Sequence, residues 1–378
     1  MDCRAIVGLY GISGSGKSHV LAALQKSRPE WRCIEGTQML SKVLADEETT
    51  LDEFKKESAL KKEEIRCKAA RRFKQFPGIT IVVGHASFPK NDTFENAFTK
   101  TDAETFTHIL YLEKTSDVVF SQRQQDNESS QRTRPFLSES LLERWSEYEK
   151  ELLNFECKRN QVPLITITDS ELVEKVIVDQ VLLPLVELAQ ASSEASLHQA
   201  IIDIPPADVY LLIDGDRTLS CTDTGPLFFH GLSKYEYDPL KPIFKRYEDY
   251  CFQAFFEISM LYANFGSNEE YFDRSLRVGL SGVELYPQWK SFIQKLPKNV
   301  CPVILTSGNR EVWTKLVESL SVGKSGDPVI LLAGNHCGLH SYIVDAEAKG
   351  LVAQTLRKLH GGCKIFSFGD SGEQPFRC

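Results

Sequence analysis

The sequence predicts an α/β protein built from two domains, each a parallel β-sheet covered by helices on both faces. With 378 residues, the chain is longer than one hydrophobic core usually supports. Short apolar runs alternate with longer helical patterns along both halves, which is typical of parallel sheets. A small, polar stretch from Ala189 to Ser196 separates the two series. We therefore predict a first domain over 1–190, a linker over 191–206 and a second domain over 207–378.

The first half contains five predicted strands. The apolar runs interpreted as strands are Arg4–Tyr10, Arg32–Glu35, Ile79–Gly84, His108–Leu112 and Pro163–Thr168. Helical patterns separate them at Lys17–Leu24, Leu51–Phe76 and Ser138–Arg159, and a last amphipathic helix follows near Ser170–Leu188.

The second half repeats the class of structure but shows no sequence repeat. Its predicted strands are Val209–Ile213, Val303–Thr306, Val329–Leu332 and Lys364–Phe368. An aromatic, helix-prone stretch over about 227–276 lies behind the first of these strands, which predicts a helical insertion there.

Composition narrows the classes of function. The formal net charge is −8 and neither half is basic, which disfavours a polynucleotide partner without excluding a local groove. No apolar stretch approaches the ~20 residues of a membrane span. The ten cysteines are scattered without a C-x-x-C pair, and the first residues lack the apolar region of a signal peptide, so we expect a cytoplasmic protein.

The first candidate site follows the first predicted strand. The segment from Gly11 to Ser18 reads G-I-S-G-S-G-K-S and satisfies the pattern G-x-x-x-x-G-K-[ST], with a strand before it and a helix after it. Glycines let the backbone N–H groups turn inward around a phosphate, and the helix N-terminus adds a partial positive charge. Lys17 is expected to reach the β- and γ-phosphates of ATP, and Ser18 to ligate Mg²⁺. The candidate nucleotide-binding residues of this loop are Gly11, Ser13, Gly14, Ser15, Gly16, Lys17 and Ser18.

On these residues the first half resembles the small P-loop kinases, the group of adenylate kinase and of the kinase half of polynucleotide kinase-phosphatase. The resemblance implies ATP and Mg²⁺ as cofactors. It also implies a lid over the phosphates, for which Arg123, Arg132 and Arg134 are candidates; a solvated loop is the alternative. Glu35, at the end of a strand, is then the candidate base for the acceptor hydroxyl or a water-mediated Mg²⁺ ligand.

One feature departs from that pattern. The strand Ile79–Gly84 is followed by His85, Ala86 and Ser87, where an aspartate that binds Mg²⁺ would be expected. His85 either faces the acceptor or is structural. Arg66, Arg71 and Arg72 share a helix that either approaches an acceptor phosphate or presents a solvated face.

The second candidate site follows the strand Val209–Ile213, which runs directly into D-G-D-R-T over 214–218. Two carboxylates separated by one residue can bind Mg²⁺ and divide nucleophilic and proton-transfer work between them.

Here the second half resembles the haloacid-dehalogenase superfamily, whose phosphatases pass through an aspartyl-phosphate. The resemblance implies Asp214 as nucleophile and Asp216 as general acid/base, with Thr218 fixing the loop. Ser307, or else Thr306, would bind the phosphoryl oxygens at the end of the next strand. Lys349 would offset negative charge, and Asp370 would complete a Mg²⁺ site with Asp214 and Asp216.

The helical insertion, about 227–282, has the position of the cap in phosphoserine-phosphatase-like members. Its aromatic side chains either line a substrate pocket or form a helical core. A capped site implies a small phosphorylated substrate. The second acid that usually follows the Asp370 position is replaced by Gln374, with Glu373 beside it; either Glu373 substitutes or activity is impaired.

Three hypotheses of function follow. The first is a bifunctional enzyme, an ATP-dependent small-molecule kinase joined to a Mg²⁺-dependent phosphatase, with a small phosphorylated or hydroxylated metabolite as partner. The second is a polynucleotide 5′-kinase/3′-phosphatase that heals nucleic-acid ends. The third is a nucleotide-binding regulatory protein in which one or both sites are inactive.

Overall fold

The computed structural model of the chain divides into two compact units, 4–185 and 186–378. The structure describes residues 4–90, 93–129, 135–230, 238–247, 250–266, 269–320, 329–334 and 342–369. Within these ranges, no helix combines the length and the apolar character needed to cross a membrane.

A five-stranded parallel sheet forms the centre of the first unit. The strands of this unit are β1 Ala5–Tyr10, β2 Arg32–Glu35, β3 Ile79–Val83, β4 Ser87–Lys90, β5 Thr93–Asn96, β6 His108–Leu112 and β7 Leu164–Ile167. The main sheet has the order β2-β3-β1-β6-β7, and β4 and β5 form a separate antiparallel pair. Every residue of β1 is buried, as expected for a central strand with helices on both faces. The five parallel strands are confirmed, whereas the β4–β5 pair was not predicted.

The described residues of the first unit also form α-helices before, between and after these strands. They are α1 Lys17–Ser27, α2 Gly36–Asp46, α3 Leu51–Lys56, α4 Ala59–Phe73, α5 Lys100–Thr105, α6 Ser116–Ser129, α7 Glu139–Asn160 and α8 Val173–Ile177. The single helix predicted over Leu51–Phe76 is wrong, because α3 ends before Glu57, which is extended, and Ser58 caps α4 by accepting a hydrogen bond from the N–H of Lys61. Serine at that position competes with the backbone and favours a new helix start.

A π-helical turn, Val178–Leu182, joins α8 to α9, Leu183–Ile202. Pro184 has no N–H, so a regular helical hydrogen bond is missing at this point, which favours the wider turn. Helix α9 occupies most of the range predicted as linker, because Leu197 and Ile201 are buried in the core of the second unit. The small, polar residues at the start of this range led to the linker prediction and gave no sign that the apolar residues after them are buried.

The second unit is a four-stranded parallel sheet with a helical insertion. Its strands are β8 Val209–Ile213, β9 Val300–Thr306, β10 Ile330–Ala333 and β11 Lys364–Phe368, in the order β10-β9-β8-β11. Its remaining helices are α10 Thr224–His230, α11 Leu240–Lys245, α12 Phe252–Gly266, α13 Glu269–Ser281, α14 Pro287–Ile293, α15 Arg310–Leu320 and α16 Ala346–Leu359. The prediction of an α/β chain with parallel sheets is therefore confirmed in both units.

The insertion, α10 to α13, packs on aromatic side chains. The Phe228 ring lies 5.2 Å from that of Tyr262 and 5.5 Å from that of Phe272. Phe228 and Phe229 are buried in one core with residues of β8, β9 and α15. For these two residues the helical-core interpretation is the one that the structure supports.

Candidate functional site

The first candidate site lies where the strand order of the first sheet reverses. The connection after β1 leads to β2 on one side of β1, whereas the connection after β6 leads to β7 on the other side. The segments that follow β1 and β6 therefore diverge and leave a crevice at the carboxyl ends of these strands. The loop Gly11–Gly16 leaves β1 at this point and leads into α1. Parallel strands also bring the segments that follow β2 and β3 to the same edge.

The loop has the backbone that a phosphate cradle requires. Gly14 and Gly16 have φ values of +101° and +89°, a region that favours glycine. The first N–H groups of α1 have no acceptor within the helix, and the positive end of the helix dipole adds to them. The residues present thus fit a chain of phosphates, and Ser18, exposed in the first turn, offers its hydroxyl beside them.

Lys17 is 5% exposed. Its Nζ donates hydrogen bonds to the carbonyl oxygens of Gly11, at 2.5 Å, and Ile12, at 3.0 Å. The ammonium group therefore lies against the loop that it is predicted to serve, close to where phosphates would bind.

A cavity of about 1230 Å³ opens beside the loop. Its lining includes Ser13 to Ser18, together with Glu35 at the end of β2 and His85 after β3. Away from the loop its walls combine charged side chains, among them Lys62, Arg66, Glu95 and Asp102, with apolar ones: Tyr10, Leu40, Leu51, Phe54, Ala69, Ala70, Phe73 and Phe106.

Charged groups of the apolar part of the cavity are held in contacts with the protein. Arg66 donates to the carbonyl oxygen of Asn96 and lies 3.8 Å from the carboxylate of Glu95. Asp102 accepts from the N–H and hydroxyl of Thr99, and burial raises the pKa of its carboxyl to about 6. Arg71 and Arg72 are not among the lining residues, and Arg72 donates to Asp46.

The three arginines predicted for the lid have separate outcomes. Arg123 is buried on α6 and donates to the carbonyl oxygens of Ser13, at 3.1 Å, and Pro135, at 2.8 Å. It therefore supports the loop from the side, which is a contact the sequence did not predict. Arg132 and Arg134 lie outside the described residues.

Sequence reasoning missed Glu149. This residue of α7 is 0% exposed, and its Oε1 accepts hydrogen bonds from the N–H groups of Ala86, at 3.0 Å, and Ser87, at 2.9 Å. A carboxylate thus lies at the end of β3, where the sequence has none. Its position in the middle of a long helix, more than sixty residues later, gave no signal.

The second candidate site gathers residues from several strand ends of the second unit. Asp214 directly follows β8, and its Oδ1 lies 2.9 Å from Nζ of Lys349, in the first turn of α16. Side-chain exposures of 12% for Lys349 and 19% for Asp214 mean that water screens this pair only partly.

Asp216 lies beside the start of the insertion. Its Oδ1 and Oδ2 accept from the N–H and hydroxyl of Thr224, at 2.9 and 3.2 Å. Burial raises the pKa of its carboxyl to about 7, and the negative charges of Asp223 and Asp214 act in the same direction. An acid with this pKa can both donate and accept a proton near neutral pH.

The hydroxyls predicted for this site differ in their positions. Oγ1 of Thr306 accepts from the N–H of Gly308 at 3.0 Å, while Ser307 lines a narrow cleft of about 10 Å³ with residues of α12. The Thr218 hydroxyl is buried and has no hydrogen-bond partner among the described residues. Its loop is held instead by a hydrogen bond from Nε1 of Trp289 to the carbonyl oxygen of Thr218.

The donor set for a metal is incomplete within the described residues. Asp214 and Asp216 supply two carboxylates, but Asp370, Glu373 and Gln374 lie outside the part of the chain that the structure describes. In that part, no group of three or more His, Cys, Asp or Glu side chains could hold a metal ion.

Comparisons with known proteins bear on the first unit. A family model described as an AAA domain matches residues 10–140, which include the glycine-rich loop and strands β2 to β6. No curated protein matches the chain. Among solved structures, the chain is similar to shikimate kinase from Bacteroides thetaiotaomicron, at 15% identity over 49% of this chain and 97% of that chain, with a TM-score of 0.29. The family similarity falls on the unit that contains the glycine-rich loop.

Proposed function

We propose that the chain is a bifunctional phosphoryl-transfer enzyme. In this proposal the first unit transfers the terminal phosphoryl group of ATP to a small hydroxylated acceptor. The second unit hydrolyses a small phosphate monoester through an aspartyl-phosphate on Asp214.

The kinase proposal is carried by one cavity that joins the glycine-rich loop to a compartment walled by apolar and charged side chains. Ligand pockets for small molecules measure roughly 300–1,000 Å³, so about 1230 Å³ offers room for a nucleotide and an acceptor together. Holding two reactants in one enclosed site is the main contribution that a protein makes to phosphoryl transfer.

The roles proposed for individual residues of the first site follow from their positions around the cavity. Lys17 and the first N–H groups of α1 bind negative oxygens, and Ser18 is placed to ligate Mg²⁺. Glu35 lines the same cavity as the loop, where it can orient an acceptor hydroxyl and take its proton. Bound Mg²⁺ would neutralise charge on the transferring group.

Transfer of label from γ-labelled ATP tests this half. The full chain is incubated with a panel of hydroxylated metabolites and, separately, with an oligonucleotide carrying a 5′-hydroxyl. We expect label on a metabolite, and a loss of transfer in Glu35→Gln of about 10²-fold or more. Label on the oligonucleotide would support nucleic-acid end healing instead. ATP binding without transfer to any acceptor would support the regulatory hypothesis.

The phosphatase proposal is carried by the contact between Asp214 and Lys349. The ammonium group of Lys349, 2.9 Å from Asp214, can offset the negative charge that accumulates when a carboxylate attacks a phosphate. In the first step an Asp214 oxygen forms a bond to phosphorus, the ester P–O bond breaks, and Asp216 protonates the leaving oxygen. Asp216 then removes a proton from water, which attacks phosphorus and releases Asp214.

Hydrolysis of an aryl phosphate in the presence of Mg²⁺ tests this half. We expect Asp214→Asn to lower the rate by about 10³-fold or more, since the nucleophile is lost. Asp208→Asn is the matched control, because Asp208 is an exposed acid of the same unit that pairs with Asn299. Equal rates in the two variants would remove Asp214 from the mechanism.

A further inference from the structure

One side of the cavity in the first unit has no role in the proposed reaction. It is lined by Lys114 and Ser170, which follow β6 and β7, and by Val118 and Gln122 of α6. In the sheet, β6 and β7 lie on the opposite side of β1 from β2 and β3. These residues therefore lie on the side of the glycine-rich loop away from Glu35. We call this part of the cavity the α6 compartment.

Helix α6 is held against the glycine-rich loop. Arg123 donates to a carbonyl oxygen of the loop at 3.1 Å, and a Cβ on Gly14 would lie 3.1 Å from Cγ1 of Val119. Val118 and Gln122 each come one residue earlier and are four residues apart, so they lie together on the adjacent face of the helix. Both line the cavity. The contact between α6 and the loop thus fixes the Gln122 amide relative to bound phosphates.

The side-chain amide of Gln122 is the polar group of the α6 compartment that indicates a ligand. Its Oε1 is buried and has no hydrogen-bond partner among the described residues. An acceptor left unpaired in this way costs free energy. A primary amide offers a carbonyl acceptor and N–H donors side by side. A ligand that fills the compartment is therefore expected to bring a donor to Oε1, with an acceptor next to it.

The groups around Gln122 suit a flat ligand with apolar faces. Val118, one turn before it, is 38% exposed and would gain burial against a planar ring. The Lys114 ammonium group donates to the carbonyl oxygen of Thr168 at 2.8 Å, which joins the segments that follow β6 and β7. An apolar side chain and an amide on one helix face are the groups that an aromatic heterocycle requires.

We propose that the α6 compartment binds the base of the nucleotide and that Gln122 selects adenine by its amino group. The exocyclic N–H donates to Oε1, and the neighbouring ring nitrogen accepts from the amide N–H, the pairing that gives glutamine its preference for adenine. With the phosphates on the loop and the acceptor beside Glu35, the base has this side of the cavity left to it. The inference rests on the proposed function, since it requires that the loop binds nucleotide phosphates and that Glu35 serves the acceptor.

Calorimetric titration of the full chain with two nucleotides tests this assignment without any acceptor. ADP is compared with purine riboside 5′-diphosphate, in which hydrogen replaces the amino group and the phosphates are unchanged. The unmodified chain should bind ADP about tenfold more tightly than the analogue, or better.

Gln122→Met keeps the length of the side chain and removes the amide, so the two affinities should become nearly equal. Gln124→Met is the matched control, because Gln124 is an exposed residue of the same helix and is not among the residues that line the cavity. It should keep the preference for ADP. A change that only disturbs the packing of α6 weakens both nucleotides alike and leaves the ratio of their affinities unmoved.

Tripolyphosphate, titrated into the unmodified chain, separates binding at the loop from recognition of the base. Equal affinities for the two nucleotides in the unmodified chain, or an unmoved ratio in Gln122→Met, would overturn the inference alone. Binding of tripolyphosphate without binding of either nucleotide would do the same. Failure of all three ligands to bind would overturn the proposed kinase function as well.

Discussion

The two candidate sites differ in the chemical groups that they offer to a ligand. In the first unit a continuous loop presents backbone N–H groups and one buried lysine to a cavity of about 1230 Å³. In the second unit, side chains from the end of β8 and from the start of α16 meet as an acid and a lysine 2.9 Å apart. The cleft that Ser307 lines in the same unit measures only about 10 Å³.

Because of this difference, the first site is better suited to binding and the second to covalent chemistry. Backbone amides cannot attack phosphorus, so the first site is suited to holding a phosphate chain and a second reactant in place. A carboxylate held by a lysine can form a bond, so the second site is suited to one small substrate that is attacked directly. A substitution in one site should therefore abolish the activity of that site and leave the activity of the other site unchanged.

Among the variants that test this comparison, the largest effect is expected for Lys17→Ala. Removing the ammonium group from the loop should lower phosphoryl transfer from ATP by about 10²–10³-fold, while aryl phosphate hydrolysis stays unchanged. Lys26→Ala, an exposed lysine in the last turn of the same helix, is the control. Both activities are measured on the same preparations, and a parallel loss of hydrolysis would show that the sites are not independent.

Lys349→Met makes the reverse test. Asp214 loses its positive neighbour, so hydrolysis should fall by about 10²-fold without a change in ATP-dependent transfer. Lys315→Met is the comparison, because Lys315 forms an exposed pair with Glu318 and such pairs contribute little. A hydrolysis rate in Lys349→Met as high as in Lys315→Met would contradict the role given to Lys349.

The same difference explains how much the sequence could predict. The loop from Gly11 to Ser18 is contiguous, so its motif, its backbone and its place after β1 were all predictable. Residues of the second site come from separated segments, so the motifs named Asp214 and Lys349, but only the structure shows that they touch.

Glu149 shows where prediction failed. It acts at the end of β3 from a helix distant in sequence, and an acid among the many of α7 has no local pattern to distinguish it. The β4–β5 pair was missed for a related reason, since its four-residue strands lack a regular alternation of apolar and polar residues. Tertiary contacts decide both features, and local propensity does not report them.

Gly308→Ala tests how closely the second site is packed. A Cβ at this position would lie 2.5 Å from Nε1 of Trp313 and 2.8 Å from Oδ2 of Asp216. We expect a loss of about 1–3 kcal/mol in the free energy of unfolding of the second unit, together with slower hydrolysis. Gly361→Ala is the control, since no atom lies within 4 Å of its Cβ. Equal unfolding temperatures in calorimetry would mean that the site has more room than the contacts indicate.

The smallest effect is expected from the pH dependence of stability at Asp216. An unfolded aspartate has a pKa of about 3.9, whereas burial raises the pKa of Asp216 to about 7. Between these values the folded state binds more protons than the unfolded state, so the contribution of Asp216 to stability falls as the pH rises from about 4 to 7 and stays unfavourable above pH 7.

The variant Asp216→Asn removes the cost of burying this charge, and its side chain can still accept a hydrogen bond from the N–H of Thr224. It should therefore increase the free energy of unfolding by about 1–3 kcal/mol at pH 8 and much less at pH 5. Urea unfolding without Mg²⁺ measures both values, with Asp208→Asn as the exposed control. Equal changes at the two pH values would indicate that Asp216 is ionised in the folded protein throughout. It could not then act as the acid that protonates the leaving oxygen.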